Sequence, residues 1–122
     1  ISMNSSIQAD PELTEAFSLM WGTYSGPASL VHKSKTIMAV NRACLEGGRK
    51  PGMICAQWDS PDKHRGCLAN RALKEQIPLH KEIRRDNGIS RVYWLPVPGY
   101  PDFYIHFTTE RMSLEAEADP NP

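Results

Sequence analysis

A chain of 122 residues, 40% hydrophobic and 23% charged, has the length and mix of one globular domain rather than of a disordered segment. Lysine plus arginine equals aspartate plus glutamate at 14 each, so no net field favours nucleic acid or an anionic membrane as the main partner. No apolar run approaches the roughly 20 residues that cross a bilayer, and the N-terminus shows no signal-peptide pattern.

Cys44, Cys55 and Cys67 are odd in number and widely spaced, which argues against a disulfide-stapled secreted domain and for a cytoplasmic protein with reduced thiols. Ile1 and Ser2 precede Met3, so Met3 reads as the natural start, and the acidic, proline-bearing end from Glu115 to Pro122 reads as a frayed tail.

The first element is a helix. Asp10 suits its N-cap, Pro11 its first position and Glu12 its dipole, while Leu13, Phe17, Met20 and Trp21 fall on one broad apolar face. Gly22 and Ser25-Gly26-Pro27 end it. A hairpin follows, Ala28 to His32 and Thr36 to Val40 around a polar turn at Lys33, Ser34 and Lys35. Asn41 caps a short helix, Arg42 to Glu46, that Gly47 and Gly48 stop. Cys44 lies inside it and reads as a core residue. An irregular stretch from Arg49 to Lys63 leads to a second long helix, about Gly66 to Gln76, with Leu68, Ala69, Ala72 and Leu73 on its buried side and Pro78 beyond its end.

Three strands close the chain. Leu79 to Arg85 is joined by an Asp86-Asn87-Gly88 turn to Arg91–Val97, and Phe103–Thr109 follows Pro98-Gly99 and Pro101-Asp102. Pro96 requires a bulge or an unpaired edge position. Lys81, Arg84 and Arg85 are interrupted by Glu82 and Asp86 and read as a solvated face. Phe103, Ile105 and Phe107 alternate with Tyr104, His106 and Thr108, and the apolar set is assigned to the inner face. For the middle strand the alternation leaves Tyr93 with Leu95, or Trp94, as inward residues. Helices between antiparallel hairpins define an α+β domain.

That order, with the string from Ser29 to Ala43 and the stretch Tyr93-Trp-Leu-Pro-Val-Pro-Gly99, resembles the PAS family of sensor domains over roughly residues 26–109. The resemblance implies a five-stranded antiparallel sheet with helices on one face, enclosing a pocket or a packed core, preceded here by an N-terminal helix. The expected divisions are a segment 1–25 carrying the amphipathic helix, a PAS-like domain at 26–110 and a flexible tail at 111–122. Such domains sense small molecules, redox state or light, or serve as dimerisation modules. The expected pocket residues are Trp58, Leu68, Leu73, Tyr93, Leu95, Phe103, Ile105 and Phe107, which supply the apolar lining that ligand sites favour.

Some bacterial PAS domains also carry a cysteine after the short helices and a Cys-x-x-Cys pair before the long helix. Cys55 and Cys67 look like the first and last of these, with His64 standing where the middle cysteine would be. Histidine and thiolate both ligate zinc or iron, so Cys55, His64 and Cys67 are compatible with metal binding, with redox sensing or with simple packing. Each of His32, His64, His80 and His106 offers a possible axial ligand, though no Cys-x-x-Cys-His haem attachment motif exists. No Walker loop, Gly-x-Ser-x-Gly, His-Glu-x-x-His or Rossmann fingerprint is present, so the expectation is a non-enzymatic module. The identity of any cofactor stays open. The sequence reading is thus a sensory module with a small ligand or a redox signal. Its partners are a signalling protein and a second copy, bound through Leu13, Phe17, Met20 and Trp21. A ligand-free scaffold is the alternative.

Overall fold

In the computed structural model, which describes residues 10–54, 68–85 and 88–109, the first helix begins as its cap dictates. Asp10 Oδ1 accepts the Glu12 backbone N–H at 2.9 Å, and Pro11 fills the first helical position, where no N–H is needed. This helix, α1, spans Pro11–Trp21. Gly26, just beyond it, passes so close to the last strand that a Cβ there would meet the Thr108 carbonyl oxygen at 2.5 Å.

Strands β1 (Ala28–His32) and β2 (Ile37–Val40) form the predicted hairpin. Lys35 occupies a positive φ of 76° in its turn, an uncommon conformation for a side-chain-bearing residue. Helix α2 (Arg42–Glu46) follows its cap Asn41, and helix α3 (Ala69–Glu75) ends where Gln76 turns left-handed ahead of Pro78. The start expected at Gly66 lies outside the described residues. Strands β3 (Leu79–Arg85), β4 (Gly88–Val97) and β5 (Tyr100–Thr108) complete the chain.

The last two strands are longer than their sequence implied. Prolines at 96, 98 and 101 suggested a broad break, but Gly99 at φ 86° permits a tight turn and Val97 pairs directly with Tyr100. A register shift between Pro96 and Val97 is the bulge that Pro96 demands. Arg85 pairs with Gly88, so β3 and β4 are joined by a two-residue connection at 86–87, itself outside the described residues.

The five strands form one sheet in the order β2-β1-β5-β4-β3, with every neighbouring pair antiparallel. The two hairpins therefore meet at its centre, where Leu30 faces Ile105 and Val31 faces Tyr104. Successive side chains leave a strand on opposite faces, so Leu30 and Val31 separate two cores. One core joins Val31, Ile37, Val92, Trp94 and Tyr104 to Ala69 and Ala72 of α3. The other joins Leu13 and Phe17 of α1 to Ala28 and Leu30, with Trp21, Phe103, Ile105 and Phe107 packed around them. Helices thus cover both faces, α3 one and α1 the other.

This arrangement corrects the use expected of the α1 face. Leu13 and Phe17 are buried against the chain's own sheet, Phe17 at 3% exposure, and the Trp21 ring lies 4.8 Å from that of Phe107. Met20 points away at 77% exposure, beside Leu19 at 82%. The four residues span an arc of about 100° around the helix, and the sheet covers the side that carries Phe17 and Trp21. The sheet takes Trp21 and leaves Met20 in solvent.

Candidate functional site

The face of the sheet beneath α3 combines aliphatic, aromatic and histidine side chains. Small residues on α3, Ala69 and Ala72, are fully buried and let the helix backbone approach the strands. Beneath them lie Val31, Val92, Trp94 and Tyr104, with Val40, Met53, Leu68, Leu73, Leu79 and Ile83 at the rim. On the same face His106 stacks on Trp94, ring centroids 5.2 Å apart and planes 26° apart. The His106 Nδ1 lies 3.1 Å from the Tyr93 carbonyl oxygen. A carbonyl only accepts, so Nδ1 carries a proton in this contact.

Met53 and Leu68 both pack at this core. They lie two residues before Cys55 and one residue after Cys67 respectively. The chain thus leaves and rejoins the same core on either side of the stretch that carries Cys55, Trp58, His64 and Cys67. Those four residues lie outside the described residues. Among the described residues no group of three metal-ligating side chains gathers. Cys44 is buried in α2, as its sequence position implied.

The remaining residues assigned to a pocket do not share one face. Leu68 and Leu73 belong to the α3 side, whereas Phe103, Ile105 and Phe107 pack with α1. The alternation read from β5 is correct, but the face it was assigned to is corrected, because the sheet lies between the two sets. Tyr93 stacks flat on Phe107 at 4.7 Å and 4°, and so also belongs to the α1 side. Leu95 borders an open surface cleft of about 500 Å³ with Gln76, Pro78, Pro96 and Pro98. A sheet covered on both sides has apolar residues at both parities, so hydrophobicity alone does not mark the site. The sequence reading keeps Trp94 as an alternative inward residue and His106 as a possible axial ligand, and of Trp94, Tyr104 and His106 only Tyr104 falls outside it. Their signal is a mixed pattern, an aromatic strand position opposite His106 rather than a purely apolar row.

On the other face, rings run in series from the edge strand to the helix. His80 stacks on Tyr93 at 5.1 Å, Tyr93 on Phe107, and Phe107 against Trp21, which meets Tyr24 edge-on at 5.4 Å. Tyr24 Oη donates to the Thr108 carbonyl at 3.0 Å. These contacts weld α1 and the turn after it to β5. Arg91 and Glu82 pair at 3.4 Å near the open end, both substantially exposed, so the pair adds little stability.

No family model matches the sequence, and no curated protein is detectably similar to it. Solved structures are similar in fold. A sensory box sensor histidine kinase from Vibrio cholerae superposes with a TM-score of 0.61 at 10% identity, covering 90% of this chain and 100% of that one. The photoactive yellow protein domain of the sensor histidine kinase Ppr from Rhodospirillum centenum gives 0.56 at 17% identity, covering 85% and 100%. The PAS domain of an HTR-like protein from Haloarcula marismortui gives 0.50 at 15% identity, covering 83% and 98%. The chain is an α+β protein with the PAS-like fold, its five-stranded antiparallel sheet and helices arranged as in these structures. Among the described residues no helix is long and apolar enough to cross a membrane.

Proposed function

We propose that this chain is a cytoplasmic sensory module, without enzymatic activity of its own, that receives a small ligand or a redox signal on the α3-covered face and acts through a protein partner. Residues 26–110 form the sensing unit and 1–25 flank it. The observation that carries the reading is the position of Met53 and Leu68, which tie both ends of the cysteine-bearing stretch to one core. A change at Cys55 or Cys67, whether oxidation, metal binding with His64 or ligand binding with Trp58, would be passed to that core through the flanking Met53 and Leu68. Leu68 and Leu73 remain lining residues in this reading, joined by Trp94, Tyr104 and His106. The structural likeness to domains of sensor histidine kinases is consistent with such a role, although fold alone does not choose a function.

A second reading, a ligand-free scaffold that dimerises, is favoured by the exposure of Leu19 and Met20 side by side on α1. One experiment separates the two. Native mass spectrometry of gently purified protein is expected to show added mass from a ligand, metal or thiol modification, removed by denaturation or by a reductant. A dimer at the bare polypeptide mass, converted to monomer by Leu19→Glu with Met20→Glu, would instead establish the scaffold.

A further inference from the structure

The turn between β1 and β2 contains a directional chain of hydrogen bonds that ends on a histidine. His32 Nδ1 receives the Ser34 backbone N–H at 3.1 Å and lies 2.9 Å from Ser34 Oγ. A backbone N–H cannot reverse its role, so Nδ1 is unprotonated and Ser34 Oγ–H must also donate to it. Ser34 Oγ then accepts from Thr36 Oγ1 at 2.8 Å, and Thr36, Ser34 and His32 are aligned in one sense. The His32 ring is held edge-on to Phe103 at 5.2 Å.

The same turn grips both sides of the cysteine-bearing stretch. Thr36 bridges Ile54 in antiparallel fashion, immediately before Cys55. Lys35 Nζ donates to Asn70 Oδ1 in the first turn of α3 at 2.6 Å. Lys35 does so from a positive φ, a conformation that the surrounding bonds must sustain.

We propose that this turn is a proton-sensitive latch on α3: protonation of His32 at Nδ1 turns an acceptor into a donor facing the Ser34 N–H, breaks the Thr36–Ser34–His32 chain and frees Lys35 from Asn70. The latch regulates the face assigned above to sensing, but its titration stands whether or not that face binds a ligand. The charged groups that face His32 are Asp102 of β5 and Lys33 of the turn, which pair with each other at 3.5 Å. Burial lowers the His32 pKa most, the Asp102 carboxylate opposes this, and Lys33 lowers it further, leaving it below the usual value. The unfolded chain therefore holds this proton more tightly. The latched state is complete above the ordinary histidine value of about 6.5 and is lost as pH falls through the lower folded value.

Nuclear magnetic resonance of the whole chain between pH 7.5 and 4.5 tests this. The His32 ring is expected to titrate below about 6.5, with the Ser34 amide and the Asn70 side-chain amide moving on the same curve. Exchange of the Ala72 amide, which bonds to Leu68 at 2.9 Å, is expected to rise about fivefold beyond the intrinsic pH effect, the worth of about one hydrogen bond. In His32→Gln that rise should vanish. Ser34→Ala keeps the amide donor but removes the hydroxyl, and should move the His32 midpoint upward, a readout that survives if the first variant does not fold. A midpoint at or above the ordinary value, or a titrating His32 with unmoved Asn70 and Ala72, would overturn the proposal. So would an equal rise in exchange across β4 and β5, which would mean global acid unfolding.

Discussion

Asn41→Ala is expected to lower stability by about 3 kcal/mol, far more than the 0.5–2 kcal/mol of an ordinary cap deletion. Asn41 is 3% exposed and makes five side-chain hydrogen bonds. Its Oδ1 accepts from the N–H groups of Cys44 and Ala28, both at 3.0 Å. Its Nδ2 donates to the carbonyls of Gly26, Trp21 and Tyr24 at 2.9, 3.1 and 3.3 Å. Removing the amide leaves buried backbone groups on α2, β1 and the turn after α1 without partners, and water has little access to replace it. Asn41→Asp keeps the two accepted bonds but turns an acceptor-only oxygen and a buried charge toward three carbonyls, so at neutral pH it should cost at least as much as alanine. Urea unfolding of the three proteins checks the order. An alanine variant within about 0.5 kcal/mol of wild type would show that the hub is not formed.

Phe17→Ala is expected to cost about 3–4 kcal/mol, because it empties a ring's volume from the core between α1 and the sheet. Phe17 is surrounded by Leu13, Ala28 and Leu30, with the half-buried aromatics of β5 beyond them. The loss should be the same at any protein concentration, since the partner surface belongs to the same chain. Were α1 instead held by a second copy, stability would rise with concentration and the cost of the substitution would change with it. Denaturation at two concentrations a hundredfold apart distinguishes these outcomes, using about 4 °C of melting shift per kcal/mol as the scale.

Most elements were legible because their signals are local. Asp10-Pro11, the Lys33–Lys35 turn, the Asn41 cap and the Pro96 bulge depend on backbone chemistry within a few residues, and each sits where its residues imply. The strand order was legible only by resemblance, since periodicity does not say which strands are neighbours. What failed was the assignment of faces. Alternation groups Phe103 with Ile105 and Phe107 but does not say which helix lies above them, and here it is α1 rather than α3. The same ambiguity made Leu13 and Phe17 look available to another molecule. Asn41 was recognisable as a cap, but its bonds to Trp21, Tyr24 and Gly26 span 15 to 20 residues and leave no mark in its own neighbourhood.

The proposed function places signal reception on the α3 side of the sheet and not on the α1 side. Amide exchange followed by mass spectrometry tests it most directly, comparing natively recovered protein, protein stripped and fully reduced, and protein oxidised with glutathione disulfide. At least one pair of states is expected to differ by about tenfold in exchange within Ala69–Glu75 and around Val92 and Trp94, a change of about 1.4 kcal/mol in local stability. Pro11–Trp21 should differ by less than about twofold across all three states, because its core with β5 is separated from the α3 side by the sheet. Identical exchange in all three, or a change centred on α1, would rule out reception on the α3 side.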